Sequence, residues 1–393
     1  MDSSANKKFT RPILLIVAFL YWLSLFSYIP ILPLHVQQKV SSLSELGFVL
    51  SMYGFWQMVS RFPVGIFADR FALRKPLAVA MLVLLAAGSL GLGLGKDLWG
   101  LTAGRSMIGF AAAAWVLLVV LYTSEMEPAK LLRGTADMTF VFAVGRVTAS
   151  LICPWLVSSI GELMPFWFST GAAMLAAGLL LFTPLKTLPR ISVSFRSIKR
   201  IIIQPGVLLA SFLGIILHYA DWAATFSFIP VQAKAFGAST TTLSFLVILE
   251  LILIVPANGI TPALVRKFGK KPILFASILS QTVSMFLIYF AKDLNWLWAA
   301  QGLLGIGYGL AYPILLGIVM EASQPSEHSI ATGFFQSAYA LGMFAGPAIS
   351  GLIAAAVGVQ PAFAATGSIV LVVGAAALIA YRKHMRIFPP AKA

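Results

Sequence analysis

The sequence predicts an all-α membrane protein, with twelve transmembrane helices in two parallel, pseudo-symmetric halves of six. Three observations lead to this fold class: an apolar composition, a series of apolar segments of spanning length, and an internal repeat. Of the 393 residues, 59% are hydrophobic and only 10% are charged, whereas about 25% of the residues of a soluble domain are charged. The composition therefore indicates a chain that is surrounded mainly by lipid.

Apolar segments long enough to cross a bilayer follow one another along the chain. A spanning helix needs about 20 predominantly apolar residues, and twelve segments meet this requirement. Span 1 is long, has polar flanks and lacks a small-residue cleavage site, so we expect a transmembrane helix there and not a signal peptide. The predicted spans, numbered 1 to 12 in order, are 11–34, 44–67, 76–95, 98–122, 133–157, 163–184, 206–232, 240–264, 272–291, 294–320, 328–354 and 362–382.

The positive charges lie mostly in short loops and predict the orientation of the chain. An even number of spans puts both termini on one side, which holds 21 of the 28 lysines and arginines, whereas the other side holds 4. The remaining three, Arg61, Arg105 and Arg146, lie inside spans. By the positive-inside rule, both termini are expected in the cytoplasm. The net charge of +15 therefore reports membrane topology and not nucleic-acid binding.

The second half of the sequence repeats the first. FSYIP (26–30) recurs as FSFIP (226–230), and DRFALRKP (69–76) recurs 196 residues later as VRKFGKKP (265–272). Parallel six-helix halves are typical of transporters that bind their substrate near the middle of the membrane. The predicted domains are an N-terminal six-helix bundle over 1–185, a cytoplasmic linker over 186–205 and a C-terminal six-helix bundle over 206–393.

Two motifs, together with the spans and the repeat, make nearly the whole chain resemble the major facilitator superfamily. Between spans 2 and 3, GIFADRFALRKP carries a glycine, an Asp-Arg pair and a basic cluster. In span 4, LTAGRSMIGFAAAA places Arg105 four residues before Gly109. The Gly-Pro-rich signature of the antiporter branches is largely missing from span 5, where Ala149 and Ser150 stand in its place. The resemblance implies a transporter similar to the drug and metabolite efflux branch, with a degenerate antiporter signature.

The resemblance also implies a cytoplasmic gate in the loop between spans 2 and 3. In the superfamily this loop latches the two halves together, and Asp69 is expected to face a helix N-terminus or an arginine. The second copy has Val265 at the position of Asp69, so we expect the latch in one half only. The basic residues would also serve as positive-inside anchors. The residues assigned to the gate are Gly65, Asp69, Arg70, Arg74, Lys75 and, one turn into span 5, Asp137.

Five ionisable residues inside the spans are candidates for proton coupling. A charge at the centre of a spanning helix costs about 2.5–3.5 kcal/mol, so it normally faces protein or a wet cavity. Asp221 lies near the middle of span 7, and His218 is three residues earlier on the same face, as expected of a protonatable pair. The resemblance implies that spans 5 and 8 face each other, so Arg146 is expected to pair with Glu250. Arg105 completes the set, because the resemblance links it to proton coupling.

Two alternatives remain open for these residues. His218 would also suit a packed position with hydrogen bonds inside its own helix. An Arg146–Glu250 pair would also suit a permanent bridge that only fixes the packing, since buried ion pairs are weak evidence of stability.

Aromatic and amide side chains in the spans predict the lining of a substrate cavity. Apolar walls with a few fixed polar groups suit an amphipathic organic solute. Aromatic residues also occupy interfacial belts and helix cores, so we expect about half of them to be packing residues only. The residues assigned to the cavity are Trp22, Tyr28, Tyr53, Trp56, Gln57, Trp115, Tyr219, Trp222, Tyr308, Tyr312, Gln336 and Tyr339.

These features predict a proton-coupled secondary transporter of a small amphipathic organic solute, with efflux as the favoured direction and rocking of the two halves as the mechanism. The runner-up is uptake or export of an organic anion that is bound by the intramembrane arginines. A more distant alternative is a membrane receptor or scaffold that transports nothing.

No enzyme is predicted, because the four histidines form no metal motif and no nucleophile elbow occurs. The sequence contains no GxxxxGK[ST] motif, so we do not expect ATP to drive transport. The single cysteine can form neither a disulfide within the chain nor a cysteine metal site. The expected partners are a small-molecule substrate, protons and the lipid bilayer, with no cofactor, metal or nucleic acid. We expect a monomer in a bacterial inner membrane.

Overall fold

The computed structural model describes residues 3–127, 131–185, 195–324 and 327–385. Within these ranges the chain is helical apart from short connections, and no strand occurs. Helices cover most of each of the twelve predicted spans, which agrees with the predicted all-α membrane fold. The helices before the linker are α1 (Ser3–Phe26), α2 (Leu32–Gln37), α3 (Leu43–Phe71), α4 (Arg74–Leu94), α5 (Leu98–Ala111), α6 (Ala114–Ser124), α7 (Leu131–Ser159) and α8 (Met164–Phe182).

The linker contains a short helix that the sequence analysis did not predict, α9 (Phe195–Ile202). It is joined to the rest of the chain by an ion pair between Arg200 and Glu327. The helices that follow are α10 (Pro205–Ala223), α11 (Ile229–Ala235), α12 (Thr240–Phe268), α13 (Lys270–Tyr289), α14 (Leu294–Glu321), α15 (His328–Val357) and α16 (Val359–Met385).

Within the described ranges, ten helical segments are long and apolar enough to cross a membrane. The apolar part of α1, Thr10–Phe26, is shorter. The helix of the remaining predicted span, α3, has 29 residues and carries Arg61 near its centre and Asp69 and Arg70 near its end. The chain is therefore an integral, multi-pass membrane protein.

Three predicted spans are interrupted, each for a local reason. In span 1, α1 ends at Phe26 and α2 begins after a turn that contains Pro30, which has no backbone N–H to continue the helix. In span 4, α5 and α6 meet at Ala112, whose carbonyl accepts a hydrogen bond from Tyr21 Oη at 2.9 Å. In span 7, a π-helical turn over Ala224–Phe228 precedes Pro230. An extra residue in the turn relieves the clash between a proline ring and the carbonyl four residues earlier.

By their contacts the residues divide into two compact units. The first unit comprises Met1–Val40, Phe55–Val193 and Thr240–Phe245, and the second comprises Ser41–Gly54, Ser194–Ser239 and Leu246–Ala393. The predicted domain boundaries at 185 and 205 stay a prediction.

Each unit has a core of closely packed helices. In the first unit, α1, α4 and α8 meet around three buried serines: Ser169 Oγ lies 2.9 Å from Ser24 Oγ and donates to Ser89 Oγ at 2.8 Å. In the second unit, α10 packs along α15, where a Cβ at Gly342 would lie 2.1 Å from the carbonyl oxygen of Ile215. Small and hydroxylated residues at such contacts let helices approach closely and bond to each other within lipid.

Candidate functional site

Arg146 of α7 lies in an aromatic cluster of the first unit. Its guanidinium carbon is 4.2 Å from the ring centroid of Phe26 and 4.9 Å from that of Phe142. Both distances are typical of a cation–π interaction, in which a cation lies over an aromatic face. Phe142 precedes Arg146 by four residues, so one face of α7 supplies both groups, whereas Phe26 comes from the end of α1.

Trp22 of α1 is the second polar group of this cluster. Its ring centroid lies 4.5 Å from that of Phe142, 5.0 Å from Trp115 and 5.8 Å from Phe26. The residue is 5% exposed, and its Nε1 atom is buried and bonds to none of the described residues. Since buried donors normally have an acceptor, this indole N–H is an unexplained polar group.

Gly145 brings the two helices of the cluster together. A Cβ atom at this position would lie 2.8 Å from Cβ of Trp22 and 3.3 Å from the carbonyl oxygen of Phe19. Real Cβ atoms do not approach so closely, so α1 and α7 reach this separation because residue 145 has no side chain. The contact lies next to Arg146 in the sequence and thereby places its side chain beside the rings of α1.

Two predicted cavity aromatics of the first unit pack elsewhere. Tyr28 stacks on Phe166 of α8 with 5.0 Å between ring centroids. Trp56 meets Phe110 edge-on at 5.9 Å. The structure therefore groups Trp22 and Trp115 with Arg146, and places Tyr28 and Trp56 in other ring contacts.

The remaining predicted polar residues of the first unit are buried inside its helices. Gln57 is buried, and its Oε1 atom bonds to none of the described residues. Arg61 and Arg105 are both buried, and Arg105 is among the largest fully buried side chains of the described chain. Because a buried guanidinium keeps its charge, the first unit carries permanent positive charge within its spans.

His218 of α10 contacts neighbouring groups of the second unit through both ring nitrogens and through its ring face. Its Nδ1 atom is 2.9 Å from the carbonyl oxygen of Gly214, so Nδ1 carries the hydrogen and donates. Its Nε2 atom is 3.0 Å from Oη of Tyr308. The ring stacks on Tyr339, with 3.9 Å between centroids and 3° between planes, and meets the edge of Tyr308 at 5.2 Å.

This arrangement couples the protonation of His218 to the Tyr308 hydroxyl. A neutral ring with its hydrogen on Nδ1 accepts a hydrogen bond from Tyr308 at Nε2. A protonated ring donates from Nε2 as well, so the hydroxyl of Tyr308 has to turn and accept. The alternative interpretation, a histidine hydrogen-bonded within its own helix, applies only to Nδ1 of His218, because Nε2 contacts Tyr308 on α14.

Further aromatic residues extend the cluster around His218. Tyr312 stacks on Tyr308 at 5.8 Å and meets Tyr339 edge-on at 6.4 Å. Phe335 meets Tyr339 at 5.3 Å. Four predicted residues, His218, Tyr308, Tyr312 and Tyr339, are thus brought together from α10, α14 and α15.

Asp221 lies one turn after His218 and is buried. The next residue, Trp222, stacks on Tyr53 of α3 with 5.0 Å between centroids and 13° between planes, and meets Phe226 at 4.9 Å. Across the described residues, no group of three or more His, Cys, Asp or Glu side chains is arranged to hold a metal ion.

Glu250 of α12 is 1% exposed and lies where α12 and α14 touch. A Cβ atom at Gly305 would lie 2.6 Å from the carbonyl oxygen of Glu250. The pairing of Glu250 with Arg146 stays a prediction.

The last two predicted cavity residues lie on α10 and α15. Tyr219 is buried, and a Cβ at Gly346 would lie 2.5 Å from its carbonyl oxygen. Gln336 is half-buried on α15.

The predicted gate residues form bonds within the first unit. Asp69 accepts a hydrogen bond from Nε of Arg74, the first residue of α4, at 2.7 Å. Lys75 donates to the carbonyl oxygen of Thr183 at 2.8 Å. Asp137 accepts from Tyr122 Oη at 2.9 Å. Arg70 is exposed, and Gly65 is half-buried on α3.

His35 and Lys39 form a further ionisable pair, which the sequence analysis did not select. Nε2 of His35 is 3.1 Å from the carbonyl oxygen of Leu92 and 3.0 Å from Nζ of Lys39, which also donates to the carbonyl oxygen of Gly95 at 2.8 Å. Burial and the neighbouring charge of Lys39 lower the pKa of His35 to about 4. Burial also lowers the pKa of Lys39.

Sequence reasoning missed the residues that surround the selected ones. Phe142 was detectable, because it precedes Arg146 by four residues on a helix. Phe26 and Phe335 had no such signal, since each reaches its partner from a distant part of the chain.

Comparison with known proteins gives one family match and several relatives. The family model of the Major Facilitator Superfamily matches residues 14–215 and 211–392. The inner membrane transport protein YajR of Escherichia coli is 29% identical over 161 residues, which are 39% of this chain and 34% of YajR. The match thus spans about a third of the length of YajR. The uncharacterized MFS-type transporter MT2531 of Mycobacterium tuberculosis is 20% identical over 352 residues, which are 83% of this chain and 82% of that protein.

A solved structure shares the fold. A bacterial homologue of the human lysosomal transporter Spinster, in an inward-facing and unoccupied conformation, has a TM-score of 0.80 to this chain. The two are 13% identical, and the match covers 99% of this chain and 100% of that one.

Proposed function

Because the chain belongs to the Major Facilitator Superfamily, we propose that this secondary transporter exports a small amphipathic organic solute in exchange for protons, by alternating access. The observation that carries the proposal is that each unit packs aromatic rings around an ionisable side chain. These are Arg146 in the first unit and His218 in the second. Apolar walls with a few oriented polar groups suit such a solute.

Proton coupling is supported by the groups of the second unit. Asp221 and Glu250 are buried carboxyl groups within apolar helices. Nε2 of His218 lies 3.0 Å from Oη of Tyr308, so uptake of a proton would reverse the direction of this hydrogen bond. Exchange requires that proton uptake and solute binding oppose each other through a coupling free energy. A proton on a buried carboxylate removes the charge that a solute or an arginine would face, and so provides that opposition.

Export is the favoured direction because the spans have few charges and many aromatic side chains. Such a lining suits solutes that partition into membranes. Transport of an organic anion is the second candidate. It is favoured by the three arginines, Arg61, Arg105 and Arg146, that the first unit carries within its spans.

Flux measurements in proteoliposomes test the proposal. An inward proton gradient is imposed, and the efflux of a fluorescent amphipathic dye is followed together with the internal pH. We expect dye efflux to rise with the gradient and to move protons inward. Dye efflux that ignores the gradient would refute proton coupling, and inward dye flux that rises with the same gradient would refute export. If neither the dye nor an organic-acid panel moves faster than in protein-free vesicles, the transport proposal is wrong.

Substitutions then identify the coupling groups. We expect Asp221→Asn and Glu250→Gln each to lower gradient-driven flux at least about tenfold, because each removes a titratable charge. Solute exchange without a gradient should be less affected. Arg146→Ala, Glu250→Gln and the double variant form a cycle for the predicted pair, and additive losses would contradict coupling between them. Glu162→Gln, at an exposed acid, is the matched control.

A further inference from the structure

A buried amide joins three helical segments of the second unit. Gln301 of α14 is fully buried. Its Oε1 atom accepts a hydrogen bond from Oγ1 of Thr225 at 2.9 Å, and its Nε2 atom donates to the carbonyl oxygen of Leu246 at 3.2 Å. Thr225 lies in the π-helical turn over Ala224–Phe228, and Leu246 lies in α12. One side chain of α14 thus bonds to both of these segments.

The two partners of Gln301 determine which way its amide faces. A backbone carbonyl only accepts, so the N–H end has to face Leu246, whereas the hydroxyl of Thr225 donates to the oxygen end. Both partners are buried as well. Loss of either bond would therefore leave a buried polar group without a partner, which is costly.

Each bond of Gln301 lies one helical turn from a candidate proton-coupling acid. Thr225 follows Asp221 by four residues, and the regular α-helix that carries this acid ends between them. Leu246 precedes Glu250 by four residues in α12, so its carbonyl oxygen also accepts the helical bond from the N–H of Glu250. A carbonyl oxygen has two lone pairs and can accept both bonds. Gln301 therefore connects the turn beside one acid to the turn beside the other.

Glycines on the same face of α14 hold α12 close to this amide. Gly305 and Gly309 follow Gln301 at intervals of four residues. A Cβ atom at Gly305 would lie 2.6 Å from the carbonyl oxygen of Glu250, and one at Gly309 would lie 2.7 Å from that of Ile254. Such contacts let the two helices pack backbone to backbone. The side chain of Gln301 then adds the π-helical turn to this pair of helices.

The amide makes this connection without adding a charge. Gln301 aligns with Arg105 in the repeat, 196 residues earlier. A guanidinium carries donors only, whereas an amide accepts from the π-helical turn and donates to α12. The second unit thus has a neutral link between two segments that each follow or carry a buried acid.

We propose that Gln301 is a positioning residue for proton coupling, and that it links the turn after Asp221 to the turn before Glu250 so that a change at one acid is transmitted to the other. The inference rests on the proposed proton coupling and names a residue through which it acts. A π-helical turn departs from the α-helical bond pattern and is frequent at functional sites. A bond to this turn is therefore suited to transmit a local change.

Flux of the fluorescent dye in proteoliposomes tests the link. The measured quantity is the ratio of gradient-driven flux to exchange without a gradient, because a general loss of folded protein lowers both. Gln301→Met keeps an unbranched side chain but removes both hydrogen bonds, and we expect a ratio at least about fivefold below that of the unsubstituted protein. The matched control is Gln281→Met, at a buried amide of α13 that bonds to none of the described residues. An unchanged ratio in Gln301→Met, or an equal loss in the control, would overturn the proposal.

A conservative variant distinguishes positioning from packing. In Gln301→Glu, a protonated carboxyl group has one donor and one acceptor, like the amide, whereas a carboxylate cannot donate to Leu246. We expect its flux ratio to lie near that of the unsubstituted protein at low pH and to fall towards that of Gln301→Met as the pH rises, with the same gradient imposed. Gln281→Glu controls for a new buried acid. A ratio that stays at the level of Gln301→Met at every pH, or that follows the pH equally in the control, would contradict the positioning role.

Amide hydrogen exchange of the full chain in detergent measures the link without transport. We expect Gln301→Met and Thr225→Val to raise exchange in the π-helical turn severalfold, because each removes the bond between the two side chains. Thr225→Ser keeps the hydroxyl and should keep the protection. Absence of gradient-driven flux in the unsubstituted protein would refute the proposed coupling, whereas the exchange still decides whether Gln301 links the segments. Unchanged exchange in Gln301→Met and Thr225→Val would refute the link even where coupling is found.

Discussion

At Gly145, the absence of a side chain lets α7 lie against α1 beside Trp22. The residue next to it, Arg146, then contacts Phe26, which is 120 positions earlier in the sequence. One glycine therefore links a sequence signal, the arginine in the middle of span 5, to a cluster that the sequence does not reveal.

Replacing this glycine should disturb the cluster. We expect Gly145→Ala to lower the free energy of unfolding by about 1–3 kcal/mol, the usual cost of overpacking, because the new Cβ would lie 2.8 Å from that of Trp22. Gly171→Ala is the control, since a Cβ there meets nothing within 4 Å. Unfolding in detergent by heat or denaturant measures both. A Gly145→Ala protein as stable as the control would show that α1 and α7 separate without cost.

At the scale of the helix, basic side chains do more than set the topology. Arg11 donates to the carbonyl oxygen of Glu125 after α6, Lys75 to that of Thr183 after α8, and Lys39 to that of Gly95 after α4. The last carbonyl groups of a helix have no partner within it, and positive charge is favourable there. Three basic residues of the first unit thus act as C-terminal caps.

The cap on α4 should make stability depend on pH. His35 has a folded-state pKa of about 4, below the value of about 6.5 expected in the unfolded chain. The unfolded chain therefore binds more protons between these values, so stability falls as the pH falls through this window. We expect His35→Gln to flatten the pH dependence of the free energy of unfolding in this window, where a single group contributes a slope of at most about 1.4 kcal/mol per pH unit. Melting temperatures measured across the window report the change. His328→Gln is the control, and an unchanged slope in His35→Gln would contradict the assignment.

Across the whole molecule, the two copies of the repeat use one position differently. Arg74 and Lys270, which align in the repeat, each begin a helix and each pair with an acid. Arg74 pairs with Asp69 of its own loop, whereas Lys270 pairs with Glu321 at the end of α14, at 2.5 Å. Val265 in place of Asp69 therefore changes the partner of the basic residue without removing its ion pair.

The two pairs should differ in strength. The Arg74 side chain is 4% exposed, whereas Glu321 is 65% exposed. We expect Asp69→Asn to lower the free energy of unfolding by about 2 kcal/mol or more, because it removes the charge beside a buried arginine. Glu321→Gln should cost about 1 kcal/mol or less. Denaturant unfolding of the two variants side by side measures the difference, and equal costs would contradict the dependence on burial.

The candidate site was predictable in its residue types and not in its groupings. Arg146, His218 and Glu250 stand out in the sequence because an ionisable side chain inside an apolar span is costly in lipid. The contact of His218 with Tyr308 and the edge-on contact of Trp22 with Phe142 depend on helices that are far apart in the sequence and meet in space. Tyr28 shows the same limit, because its partner Phe166 lies on a helix far along the chain.

The membrane class, the order of the long apolar helices and the superfamily follow from the amino-acid sequence alone. These properties follow from the transfer of each segment between water and lipid and from motifs within one loop, so neighbouring residues suffice. The tertiary structure decided which rings hold Arg146, which hydroxyl bonds His218 and which acid pairs with Lys270. Those contacts depend on the close approach of helices far apart in the chain, which no local pattern encodes.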